Sequence, residues 1–111
     1  MYYRADGKAD ITGYCFQYDP GFGNEFIVRK VVAGREEKAP IVRVKMPAGF
    51  DIFGVPHEVT ISVKGDQHTV TIDSKVVLGF RDSTFTSGSA GLRTWGSSTQ
   101  ALFDKVIVIP K

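Results

Sequence analysis

Val59-Thr60-Ile61-Ser62-Val63-Lys64-Gly65-Asp66-Gln67-His68-Thr69-Val70-Thr71-Ile72 is the stretch that decides the fold. Apolar and polar residues alternate on both sides of Gly65-Asp66-Gln67. A period of two sends successive side chains to opposite faces, so each half reads as a strand with one buried face. Two such strands around a Gly-Asp turn make a hairpin, at 57–63 and 69–72. Downstream lie Ser89-Ala90-Gly91-Leu92-Arg93-Thr94-Trp95-Gly96 and then Phe103-Asp104-Lys105-Val106-Ile107-Val108. They predict strands over 90–94 and 101–109, the last closing the chain.

The same signals recur upstream. Strands are expected at 1–4, ended by Asp6-Gly7, and at 13–18, ended by Asp19-Pro20-Gly21-Phe22-Gly23-Asn24. Others are expected at 25–32, ended by Gly34, at 41–45 on an edge between Pro40 and Pro47, and at 76–80. The best helical window, 31–44, contains Gly34 and Pro40 and holds no 3.6-residue period. Turn residues every 8–12 positions or so are the spacing of an all-β sandwich or barrel. The expectation is a single antiparallel two-sheet β-sandwich over 1–111.

The chain has 111 residues, enough for one domain and one modest core. Its net charge of +2, with Lys and Arg scattered along the chain, gives no basic patch for nucleic acid. Its single cysteine, Cys15, excludes an internal disulfide and reads as a small buried hydrophobe. No apolar run approaches the ~18 residues of a membrane-spanning helix. The opening Met1-Tyr2-Tyr3-Arg4 starts in mid-strand, so the chain reads as a domain excised from a longer protein and lacking its first strands.

Met1-Tyr2-Tyr3-Arg4-Ala5, Gly13-Tyr14-Cys15-Phe16-Gln17-Tyr18-Asp19-Pro20-Gly21, Phe26-Ile27-Val28-Arg29-Lys30 and Gly91-Leu92-Arg93-Thr94-Trp95 together resemble one branch of the concanavalin A-like, or laminin-G-like, superfamily. That branch occurs as C-terminal domains of bacterial prepilin-like proteins and is similar to levanase-type carbohydrate-binding modules. The resemblance covers nearly the whole chain. Two places depart from its pattern: Asp73-Ser74 stands for Asp-Gly, and Phe103-Asp104-Lys105-Val106 for Phe-Asp-Asn-Val. It implies a jelly-roll sandwich at a bacterial cell surface or outside the cell, binding a carbohydrate or cell-surface polymer. It also implies room for a structural calcium, with Asp6, Asp10 and Asp104 near turns as its oxygens.

Strand parity selects the site. Tyr14, Phe16 and Tyr18 oppose Cys15, Gln17 and Asp19; Phe26 and Val28 oppose Ile27, Arg29 and Val31. With the apolar set turned to the core, the other face collects Arg4, Gln17, Asp19, Arg29, Arg93 and Trp95. Guanidiniums, amide and carboxylate would bond sugar hydroxyls, and Trp95 would stack on a sugar ring. The same residues also suit the plain solvent face of a sheet.

No catalytic machinery is legible. Asp19, Glu25, Asp51, Asp82 and Asp104 show no spacing that singles out an acid–base pair. Asp19-Pro20-Gly21-Phe22-Gly23 lacks the Lys-Ser/Thr end of a phosphate loop and reads as a hairpin turn. His57 and His68 read as solvated. The sequence therefore points to a non-catalytic binding or adhesion module. A glycoside-hydrolase-related jelly roll and an assembly module working through its sheet edges are the rivals. An unpaired first strand, with Tyr2 and Tyr3 to cover, further predicts a homodimer through the 1–4 or 41–45 edge.

Overall fold

The computed structural model describes residues 1–19, 23–92, 101, 103 and 105–109. Among the described residues nine strands follow in chain order: β1 (Tyr2–Ala5), β2 (Gly13–Asp19), β3 (Glu25–Val32), β4 (Arg35–Glu36), β5 (Val42–Lys45), β6 (Val59–Lys64), β7 (Gln67–Ile72), β8 (Lys75–Arg81) and β9 (Ser89–Gly91). The described residues contain no helix. The strands form two antiparallel sheets. One runs β4-β3-β2-β1-β9, with β5 also on β3; the other runs β6-β7-β8. The strands β4 and β5 share one edge of β3, at Val31–Val32 and at 25–28, because β2 occupies the other edge.

The turns explain the connections. Gly65 takes φ 60 as first residue of the two-residue β6–β7 turn, the position where a II′ hairpin needs positive φ. Asp73 (φ 50) and Ser74 (φ 67) join β7 to β8, and Ala33 (φ 49) and Gly34 (φ 79) join β3 to β4, both with the I′ pattern. The register Asp19↔Glu25 brings β2 back as β3, the hairpin expected from that stretch.

The core lies between the sheets. Tyr3, Tyr14, Phe16, Phe26 and Val28 from the larger sheet meet Val70, Ile72 and Leu78 from the smaller, with Met46 at one margin. Tyr14, Phe26, Val28 and Val70 are wholly buried. Burying a side chain of this size stabilises by roughly 1.5–3 kcal/mol, so these few positions dominate the apolar contribution. A smaller cluster of Tyr2, Ala5, Cys15 and Val31, joined by Ile11, covers the opposite face of the larger sheet. Gly13 and Gly88 crowd Ala5 on two sides: an added Cβ would stand 2.7 Å from the Ala5 Cα at Gly13 and 2.6 Å from its nitrogen at Gly88.

Three expectations change. The first strand is not a free edge, because β9 pairs with it on the side away from β2. Tyr2 and Tyr3 are consequently buried at 8% and 7% exposure within the chain itself. The two histidines are not solvated: His68 is wholly buried, and the His57 side chain is 10% exposed. The alternation that gives β7 its inward Val70 and Ile72 carries His68 inward with them. The described residues of 101–109 lie in no strand, and Val106, Ile107, Val108 and Ile109 are exposed. Their apolar run lacks alternation, and β-branched residues form a strand only where an edge receives them.

Candidate functional site

The outer face of the larger sheet holds two of the expected residues together. Cys15 pairs with Arg29 across β2 and β3, and Gln17 with Ile27. Glu36 on β4 stands opposite Val31 and so shares their face. Its carboxylate collects both neighbours: Gln17 Nε2 donates to Oε1 at 2.6 Å, and Arg29 Nε lies 3.7 Å from Oε2. Arg29 also donates through Nη1 to the carbonyls of Glu37 and Lys38, each at 3.0 Å. Those carbonyls belong to the chain leaving β4 on its way to β5. Arg29 thus fastens that connection as well as lining the face.

The face continues along β5. Arg43 stands opposite Ile27, and Lys45 opposite Glu25. Arg43 grips Glu25 with two parallel bonds, Nε at 2.6 Å and Nη2 at 2.8 Å, the fork geometry of a strong guanidinium–carboxylate pair. The hydrogen bond from Arg43 holds the Glu25 carboxyl below its usual range, and Glu25 in turn raises Arg43. Asp19 pairs with Glu25 at the end of β2. Asp19, Glu25 and Glu36 therefore balance Arg29, Arg43 and Lys45 on one surface. Ile27 beneath them is wholly buried. Glu25, Glu36, Arg43 and Lys45 were not singled out by the sequence reading; the parity that selected Gln17 and Arg29 assigns Glu25 to the same face, and the register of β4 and β5 adds the other three.

Arg4 is elsewhere. Strand parity sets it beside Gln17, but its φ of 46 and the register shift between Tyr2 and Ala5 form a bulge that reverses parity after Tyr3. Its Nη1 donates to the carbonyls of Gly65 (2.9 Å) and Phe85 (3.1 Å) and so ties β1 to the turn of the smaller sheet. Arg93 and Trp95 lie outside the described residues. Asp104, the third carboxylate expected near a calcium, also lies outside them. Asp6 Oδ1 accepts from the amides of Lys8 and Thr12, both at 3.1 Å, which closes its own turn and lowers its pKa. Asp10 packs against Gly34. Among the described residues no group of three His, Cys, Asp or Glu is placed to hold a metal ion.

Two further polar centres emerge from the geometry. His68 Nε2 lies 2.8 Å from the carbonyl of Asp82, which can only accept, so Nε2 carries the proton. Nδ1 then accepts from the Tyr3 hydroxyl at 3.0 Å. Burial lowers the pKa of this ring and so favours its neutral form, and pushes the Tyr3 phenol up. Tyr14 donates to Asp82 Oδ1 at 2.6 Å and accepts the Phe85 amide at 3.2 Å. Burial alone would raise the Asp82 carboxyl; the donors Tyr14 and Thr84 outweigh it and hold the pKa at about 2.

The second centre closes one end of the sandwich. The ring of Phe50 stacks on His57 at 4.4 Å and packs edge-on against Phe26 and Tyr18. Clefts of about 450 and 260 Å³ flank the 47–50 segment, and Phe50 lines both.

No family model matches this chain, and neither a curated protein nor a solved structure gives a significant match.

Proposed function

We propose that this chain is a non-catalytic β-sandwich module that binds a neutral carbohydrate on the outer face of its larger sheet. The observation that carries the reading is the charge-compensated array of Gln17, Asp19, Glu25, Arg29, Glu36, Arg43 and Lys45. Sugar hydroxyls both donate and accept, so they are recognised by mixed forks of guanidinium, amide and carboxylate. The pairing of Gln17 and Arg29 with Glu36, and of Arg43 with Glu25, fixes those groups on rigid strands before a ligand arrives, which reduces the ordering cost of binding. Equal numbers of opposite charges favour an uncharged polar ligand over a polyanion or polycation. A jelly-roll topology of the concanavalin A-like kind and an extracellular, bacterial cell-surface setting belong to the same proposal, on the resemblance in sequence. The reading requires no cofactor.

Titration with a panel of neutral oligosaccharides tests it. Arg43→Ala should abolish binding while leaving the fold intact, since Arg43 is half-exposed and such surface pairs contribute about 0–1 kcal/mol. Undiminished binding by that variant would remove the site from the outer face.

A second reading, an assembly module acting through its strands, is favoured by the exposed run Val106, Ile107, Val108 and Ile109. Sedimentation at tens of micromolar separates the two: the assembly reading predicts a dimer lost on replacing Ile107 and Ile109 by Ser, and the binding reading a monomer.

A further inference from the structure

His57 begins the approach to β6, at the end of the 46–58 connection that caps one end of the sandwich. Both its ring nitrogens face groups that can only accept. Nδ1 lies 2.6 Å from Asp73 Oδ2 in the β7–β8 turn, and Nε2 lies 2.6 Å from the carbonyl of Asp51. Two donors are needed, and only the imidazolium supplies two. A neutral ring would turn a lone pair toward either the carboxylate or the carbonyl. Asp73 is itself held in place, because its Oδ1 accepts the Glu58 amide at 2.9 Å and its own amide bonds the Glu58 carbonyl.

We propose that His57 is a charge-dependent latch: as an imidazolium it ties the 46–58 connection to the β7–β8 turn, and on losing its proton it releases that connection and opens the aromatic cluster behind Phe50. Several features make this segment the one to move. Phe53 and Val55 within it are already exposed. Phe50, the ring it buries, is stacked on His57 itself. The Tyr18 hydroxyl, packed against both rings, is buried with no hydrogen-bond partner among the described residues, so opening would give it water. Release would merge the two clefts that share Phe50 and uncover Phe26 and Tyr18.

The charged and titratable groups around the ring act in one direction. Asp73 from the turn and Asp51 from the connection favour the cation, outweighing the opposing effect of burial. Glu58 is the adjoining carboxylate, and Tyr18 from β2 is pushed up to about 12, so it stays neutral over the range concerned. Folding raises the His57 pKa, chiefly through the hydrogen bond to Asp73. The latch is therefore fully engaged below the unfolded value near 6.5 and fails as the pH rises through the folded value.

Two measurements test this on the whole chain. Nitrogen–proton correlation spectra over a pH series should find both ring protons on His57 persisting to higher pH than on an unstructured reference histidine. Chymotrypsin cleavage after Phe53, normalised at each pH to an unstructured reference peptide, should rise by up to about tenfold per pH unit above the folded pKa. Asp73→Asn is the decisive variant. Asparagine tolerates the positive φ, keeps an oxygen for the Glu58 amide, and offers an N–H to a neutral His57 Nδ1. The alkaline rise in cleavage should disappear in D73N. A His57 in the unmodified chain that loses its second ring proton no later than the reference histidine, or the same alkaline rise in D73N, would overturn the latch.

Discussion

Tyr14→Phe removes one oxygen and leaves the ring in place. Tyr14 is wholly buried, packed at 5.2 Å on Tyr3 and edge-on to His68 and Phe85, so the phenyl ring keeps these contacts. The substitution deletes the 2.6 Å hydrogen bond to Asp82 and strips the Phe85 amide of its acceptor. A hydrogen bond to a charged group contributes about 1.5–3 kcal/mol, and an orphaned amide adds to the loss where water cannot reach it. The expected destabilisation is about 2–3 kcal/mol, which lowers Tm by roughly 8–15 °C for a domain of this size. The pH dependence gives a second readout. Folding depresses the Asp82 pKa to about 2, so its contribution is present above the ordinary carboxylate range and is lost as the pH falls through about 2. Tyr14→Phe should therefore cost most near neutrality and less toward pH 2. Urea unfolding at pH 7 and pH 3 measures both effects. A cost below about 0.5 kcal/mol at pH 7, the range of an ordinary surface change, would refute the coupling of Tyr14 to Asp82.

Gly13→Ala should destabilise by about 1–3 kcal/mol in the same unfolding assay, because the new methyl meets the backbone of Ala5 rather than a movable side chain. Ser74→Gly should stabilise by up to about 1 kcal/mol, since Ser74 holds φ 67 where a I′ turn prefers glycine; a lower Tm would contradict that turn assignment. The His68 ring should carry its single proton on Nε2 and take up a second only at lower pH than an unstructured histidine does. Its pKa is lowered by burial, so stability should decline as the pH falls below about 6.5, and a ring that takes up its second proton at or above that pH would contradict the buried network.

Where strands are regular, alternation made the structure legible. Tyr14, Phe16, Phe26 and Val28 could be placed in the core, and Cys15, Gln17 and Arg29 on the opposite face, from parity alone. The same rule placed His68 with Val70 and Ile72, a signal present in the sequence but overridden by the expectation that a histidine near a turn is solvated. Arg4 escaped because a single residue at positive φ reverses parity, and arginine carries no mark of that conformation. The partners Glu36 and Arg43 depend on the two short strands that share the edge of β3, and a two-residue strand such as β4 leaves no periodic trace. The contact of His57 with Asp73 joins a long connection to a hairpin turn, and no local pattern announces such a meeting. The strand expected at 101–109 extends the alternation of the earlier strands into a stretch whose residues 106–109 are all apolar, and such a run needs a receiving edge before it becomes structure.

The proposed function puts a carbohydrate on the outer face of the larger sheet. Its most direct test is an amide chemical-shift titration with neutral oligosaccharides. Weak binding is expected, in the high micromolar to millimolar range, or about 4–6 kcal/mol. The predicted result is a saturable set of shifts confined to Gln17, Asp19, Glu25, Arg29, Glu36 and Arg43, absent in Arg43→Ala. Shifts that cluster around Phe50 and the flanking clefts instead, or no shifts at tens of millimolar sugar, would contradict it.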